Sequence, residues 1–320
     1  MQADVESVLE PCAASGSAAS EHCARLARAL RGDALAWWPG SPWRDRRTAP
    51  ALVWLALLES GFGPGRTLDA GAARARLGEL GSVLERVRVG QTRTLIGRAL
   101  AEASGEGGPT ADELASALDA ARAFERGGTF ATRRALAERA LAWSGGLGSA
   151  WARLIARRAA PFGGQPSVLL APAGPSLAGD PGLARRLEAG LVAERLARWT
   201  ARPAEELAVG RLVLPLDELA RCGLAPTDMV ARPDDPRWRE LVAGQVGFVR
   251  GHLARAWPAA QSAGPLAGRA VALWLDGIER CLARIEARGF DVVRAPVAGP
   301  RASLLGAFAR RPPADLRGLG

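Results

Sequence analysis

Apolar residues recur at helical spacing along almost the whole of this 320-residue chain, and no sustained two-residue alternation replaces that pattern anywhere. A chain patterned this way has one stripe to bury per helix and no pleated face to pair, so it is expected to be all-α. Two long stretches make the case. Trp238, Leu241, Val242, Gln245, Phe248, Val249, His252 and Leu253 share one helical face, and Trp274, Ile278, Cys281, Leu282 and Ile285 share another. The stops agree with the pattern. Ser20 is placed to cap a helix over residues 20–31, with Gly32 beyond its end. Thr110 with Glu113 three residues on is a capping box, and Thr132 starts a further helix that the Gly145-Gly146 pair closes.

With 48% hydrophobic residues the chain can bury a sizeable core. The expected layout is a flexible N-terminal segment over residues 1–19, one helical domain over 20–311 and a flexible tail over 312–320. The Gly- and Pro-rich residues 161–181 read as a long loop rather than a linker, because the helices on either side are too few for two cores. Residues 32–43, rich in Gly, Pro and Trp, read as a loop packed by its own indoles, with a membrane-interface role for Trp37, Trp38 and Trp43 as the other reading.

A net charge of +9 would suit an anionic partner, but the chain has no Lys, Asn or Tyr, and its arginines are spread throughout. Coding bias accounts for that composition, so a nucleic-acid partner is not expected. Cys12, Cys23, Cys222 and Cys281 lack the paired spacing of a zinc site, and His252 reads as a packed core histidine. The glycines at 145–148 follow no strand and precede no Lys-Ser/Thr, so they are not a phosphate loop. The acidic start lacks the pattern of a signal peptide, and no apolar run approaches the roughly 18 to 20 residues of a membrane span. The expected location is cytoplasmic, with peripheral contact to the inner face of the membrane as the further option.

The most specific stretch is Arg198-Trp-Thr-Ala-Arg202-Pro-Ala-Glu-Glu206-Leu-Ala-Val-Gly210-Arg211-Leu-Val-Leu-Pro215. It resembles the second aspartate motif of the squalene/phytoene synthase family, N-x-x-R-D-x-x-E-D-x-x-x-G-R-x-Y-L-P. Residues 76–100, residues 129–140 with the Gly145-Gly146 break, and the closing run Ile278 to Val292 with its Gly-Phe-Asp-Val ending resemble other family segments in the right order. The resemblance implies a single all-α domain of the isoprenoid synthase type around a central cavity. It also implies two aspartate motifs facing each other across the cavity mouth, holding the Mg²⁺ ions that stabilise a departing diphosphate.

This chain departs from both motifs. Glu59 is the carboxylate nearest the first motif position, and Asp69 reads as a helix cap. In the second, Arg202 stands where the first aspartate belongs and Glu206 where the second does, with Pro203 between them. Arg195 and Arg198 replace the usual polar residues upstream. Spaced i, i+3, i+7, Arg195, Arg198 and Arg202 share one face if the helix persists that far. Together with Arg211 they are the candidate substrate-binding residues, a cation row for a phosphate group, unless Glu188 and Glu194 neutralise them. No residue is assigned confidently to catalysis, and no metal ligand is expected.

These departures imply a family member that has lost Mg²⁺-dependent catalysis. It would need no cofactor and act as an isoprenoid- or lipid-binding or assembly protein, as one branch of the family does in assembling respiratory complex I. Its partners would be a prenyl diphosphate or other anionic lipid, a protein partner, or a membrane surface. The alternative is an active head-to-head prenyl diphosphate transferase with an atypical site, which would require Mg²⁺. A basic helical protein unrelated to the family is the third reading, favoured by a fold without a central cavity.

Overall fold

The structure, a computed structural model, describes residues 7–31, 35, 45–62, 70–125, 128–159 and 181–301. The expected indole-packed loop at 32–43, apart from the buried Leu35, lies outside them, as do Asp69, the 161–180 loop and the 312–320 tail.

After a 3-10 turn at Ser7–Leu9 come α1 (Gly16–Arg31), α2 (Ala49–Phe62), α3 (Ala70–Arg88), α4 (Leu95–Gly105) and α5 (Ala111–Glu125). They are followed by α6 (Arg133–Trp143), α7 (Leu147–Ala159), α8 (Pro181–Thr200) and the short α9 (Pro203–Ala208), α10 (Leu216–Arg221) and α11 (Asp228–Ala231). The chain closes with α12 (Arg237–Ala256), α13 (Pro258–Ser262) and α14 (Pro265–Ala287). Among the described residues the only β pairing is an isolated bridge between Pro11 and Thr94.

The local signals act as the sequence suggests. Thr110 accepts from the Glu113 amide at 3.2 Å while the Glu113 carboxylate accepts from the Thr110 amide at 2.8 Å, which completes the capping box. Thr132 caps α6 through the Ala135 amide, and Thr94 caps α4 through the Gly97 amide. Pro203, Pro258 and Pro265 each sit in the first turn of a helix, where a missing N–H costs nothing. One expectation is corrected at the N-terminus. The first helix begins at Gly16 rather than Ser20, and Val8, Leu9 and Ala19 are buried, because the preceding strand-like bridge pins this segment to α4.

Helix α8 lies at the centre, packed by α6, α7, α12, α13 and α14. It is therefore covered on most sides, with Leu183, Leu187, Val192, Ala193, Leu196, Ala197 and Trp199 buried. Helix α14 crosses it closely at Gly190, where a Cβ would come within 2.5 Å of the Trp274 ring. Trp274 in turn meets Trp151 edge to face, with ring centroids 5.6 Å apart. A second, smaller cluster gathers Leu212, Leu214, Leu219, Leu224, Met229, Trp238, Leu241 and Val293 beyond the end of α8.

A cavity remains among α2, α6, α7 and α8, of about 130 Å³. Trp143, Trp151, Leu52, Leu55 and Leu191 line its apolar part and Glu59, Glu194, Arg195 and Arg198 its polar part. The sequence led us to expect a deep apolar cavity. The indoles leave far less room than the roughly 300 Å³ at which ligand pockets begin. No helix among the described residues is long and apolar enough to cross a membrane.

Candidate functional site

The C-terminal half of α8 faces the last turns of α2, and this juxtaposition builds the site. Glu59, near the end of α2, forms an ion pair with Arg195 of α8. The Arg195 guanidinium also lies over the Trp143 ring, 5.3 Å from its centroid. Burial would push the Glu59 carboxyl up, but Arg195 and Arg198, with hydrogen bonds from Arg195 and Trp143, outweigh it and hold the group below the usual carboxylate range. Glu59 is therefore an anion already committed to cations of its own chain.

One turn along, Arg198 donates to Glu194 at 3.2 Å, and the Trp274 indole N–H donates to the other Glu194 oxygen at 2.7 Å. Burial works against the charge on Arg198, yet the neighbouring Glu59 and Glu194 raise its pKa further. Of the two acids considered as partners for the arginines, Glu194 takes that part. Glu188 instead accepts from the Ser149 hydroxyl at 2.9 Å.

Arg202 does not continue the row. Helix α8 ends at Thr200, and Arg202 takes φ −146° and ψ 49° at the N-cap of α9. Pro203 explains the break, since the residue before a proline is turned away from helical geometry. The expected face of three arginines is thus a face of two, with Arg202 redirected. Its side chain donates to Glu205 at 3.2 Å and to the Val297 carbonyl at 3.3 Å.

Glu206 and Arg211 form a separate, buried pair, 1% and 5% exposed. Gly210, at φ +80°, makes the turn that sends the chain back, and the Arg211 amide donates to the Glu206 carbonyl at 3.0 Å. The Arg211 side chain then donates through Nε to the Glu206 carboxylate at 2.6 Å, with a second donation through Nη2. Burial pushes the Glu206 carboxyl up against the pull of Arg211. Arg211, expected to meet substrate, is enclosed by its own turn.

The residues present do not suit a Mg²⁺ ion. That ion needs several oxygen ligands at near-octahedral geometry. Glu59 and Glu206 are each taken up by an arginine, and no group of three His, Cys, Asp or Glu side chains among the described residues could hold a metal. Trp143 and Trp274 were missed from sequence as site residues. Their hydrophobic spacing marks them for the core, and only the packing shows that one indole supports Arg195 and the other Glu194. His252 is half-buried, edge-on to Phe248 at 4.9 Å, and burial lowers its pKa to about 4. It lies outside this cluster.

The squalene/phytoene synthase family matches residues 65–306 of the chain, a stretch that begins just after Glu59. Among solved structures, squalene synthase HpnC from Alicyclobacillus acidocaldarius is similar with a TM-score of 0.66 at 19% identity, covering 85% of this chain and 95% of that one. A dehydrosqualene synthase in complex with a ligand is similar with a TM-score of 0.67 at 12% identity, covering 86% and 88%. These two likenesses establish a shared fold. No curated protein matches the sequence.

Proposed function

The chain belongs to the squalene/phytoene synthase family, and we propose that it has given up Mg²⁺-dependent prenyl transfer and acts by binding, as an assembly or lipid-binding member. The observation that carries this reading is the Glu59–Arg195 pair, which joins α2 and α8 where the family resemblance puts metal-binding aspartates. A departing diphosphate develops charge that bound cations must stabilise. Here the carboxylates that would recruit those cations neutralise arginines instead. Arg195 and Arg198, which could meet a diphosphate directly, are held by Glu59 and Glu194. A cavity of about 130 Å³ favours assembly through the protein surface over enclosure of two prenyl chains.

The test is incubation of the purified protein with labelled farnesyl or geranylgeranyl diphosphate, Mg²⁺ and NADPH. The expected outcome is no squalene, phytoene or cyclopropyl intermediate. Clear turnover would overturn the reading in favour of an active transferase. A thermal-shift titration with the same diphosphates in EDTA then separates the two binding roles. Stabilisation lost on changing Arg195 and Arg198 to Ala indicates a lipid ligand, and no shift indicates assembly alone.

A further inference from the structure

Helix α6 lines two separate spaces. Ala140, Trp143 and Ser144 face the small cavity beside Glu59, whereas Ala135, Glu138, Arg139 and Ala142 line a pocket of about 400 Å³. The rest of its wall is Ala123 of α5 and residues 128–131, which lead into α6. This volume lies within the range of ligand pockets, which the cavity beside Glu59 does not reach. The wall at 128–131 is fixed from one side. The Leu212 amide donates to the Gly128 carbonyl at 3.2 Å, the Leu216 amide to the Phe130 carbonyl at 2.8 Å and the Asp217 amide to the Ala131 carbonyl at 3.1 Å. The buried Phe130 ring also stacks on Trp199 of α8, with centroids 6.5 Å apart. The acceptors of this wall are thus used, but its donors are not. The Thr129 and Ala131 amides and the Thr129 hydroxyl have no acceptor among the described residues.

The charge in this pocket is one-sided. Glu138 accepts from Arg134 at 2.8 Å, so that acid already has its cation. Arg139 is half-buried and forms no ion pair or hydrogen bond among the described residues. In this it differs from Arg195, Arg198, Arg202 and Arg211, each of which meets an acid. A half-buried guanidinium has given up part of its hydration, and this pocket offers it no internal anion in return. Its fork binds two oxygens of an anion at once, and the hydroxyl and amides at 129–131 supply donors for a third. A phosphate monoester presents three such oxygens, a carboxylate two. Beside these donors the alanines of α5 and α6 leave an apolar wall.

We propose that this pocket binds a phosphate monoester, with the phosphate held by Arg139 and the donors at 129–131 and a small apolar group against the alanines. The pocket shares no residue with the Glu59–Arg195 cluster. It therefore does not depend on whether prenyl transfer is lost, and its test reads no catalytic activity.

The full-length chain is titrated by calorimetry, in EDTA, with phenyl phosphate, inorganic phosphate and benzoate. Phenyl phosphate should bind several-fold more tightly than either of the others, since one lacks the apolar group and the other the third oxygen. Arg139→Met should weaken phenyl phosphate about tenfold or more. Because Arg139 bonds nothing within the fold, that change should leave the thermal midpoint of the unliganded protein where it was. Ala135→Leu fills the apolar part without touching a charge. It should weaken phenyl phosphate several-fold and leave inorganic phosphate unchanged. No binding of phenyl phosphate, equal affinity in wild type and Arg139→Met, or a lower midpoint for unliganded Arg139→Met would overturn the pocket. Benzoate binding more tightly than phenyl phosphate would overturn the phosphate. Inorganic phosphate binding as tightly as phenyl phosphate, or equal phenyl phosphate affinity in Ala135→Leu, would overturn the apolar contact.

Discussion

Two arginine–glutamate pairs stand close to the end of α8 and differ in almost every physical respect. Glu59–Arg195 joins helices far apart in sequence, and its side chains are 31% and 17% exposed. Glu206–Arg211 lies within one turn of chain, and its side chains are 1% and 6% exposed. The first pair draws its value from geometry, because it fastens α2 to α8 at the mouth of the cavity. The second draws its value from desolvation, because neither charge can survive there without the other. An acid at a motif position can therefore be engaged by an arginine in two ways. At Glu59 an arginine from across the mouth neutralises the acid, whereas at Glu206 the acid has been drawn into the core.

The largest effect should come from breaking the buried pair on one side only. Arg211→Ala should cost about 3–5 kcal/mol in urea unfolding, since Glu206 is left buried and unpaired. Removing the arginine takes away the main opposition to burial, which then raises the Glu206 pKa further, with only the more distant Arg195 pulling it down. The folded variant then binds a proton more tightly than the unfolded chain, so its stability should recover as the pH falls from 8 towards 5. A deficit that is flat across this range would show that Glu206 has found water or another cation.

Gly210→Ala should cost about 1–2 kcal/mol, all of it from the left-handed backbone that aims Arg211 back at Glu206. No atom lies within 4 Å of a Cβ placed there, so a larger loss would mean the turn itself has rearranged.

Glu59→Gln should cost only about 1 kcal/mol, because the pair is partly solvated. Its sign with pH is opposite to that of the Arg211 variant. The folded Glu59 carboxyl is held below its unfolded value, so its contribution is present above that value and lost as the pH falls through the folded pKa. The gap in thermal midpoint between wild type and Glu59→Gln should be full at pH 7 and close below about pH 4.

The smallest difference is in salt. Raising NaCl from 0.1 to about 1 M should shrink the Glu59→Gln gap by a few tenths of a kcal/mol and leave the Arg211→Ala gap unchanged, since screening reaches the exposed pair and not the buried one. Equal responses would erase the distinction between the two.

Much of the scaffold was legible because its signals are local. Thr110 with Glu113, Thr132, and the Gly145-Gly146 break act within four residues of themselves, and the 3.6-residue period of α12 and α14 states which face is buried. The cluster was legible only as a set of positions. Arg195, Arg198, Glu59 and Glu206 could each be marked from the motif register, but their partners could not. Glu59 and Arg195 are separated by 136 residues, and Trp143 and Trp274 carry no mark that distinguishes a supporting indole from any other core residue.

The sequence by itself determined most of the helices, several of their caps, the family and the departure from its second aspartate motif at Arg202, because propensity, capping and motif spacing are properties of neighbouring residues. Tertiary structure alone decided that Pro203 turns Arg202 away from the α8 row and towards Val297. It also decided that two indoles, those of Trp143 and Trp151, narrow the cavity and that each arginine of the motif region meets an acid of its own chain. Those outcomes depend on which surfaces of distant helices come within hydrogen-bonding reach, and ion pairing and packing fall off within a few ångströms.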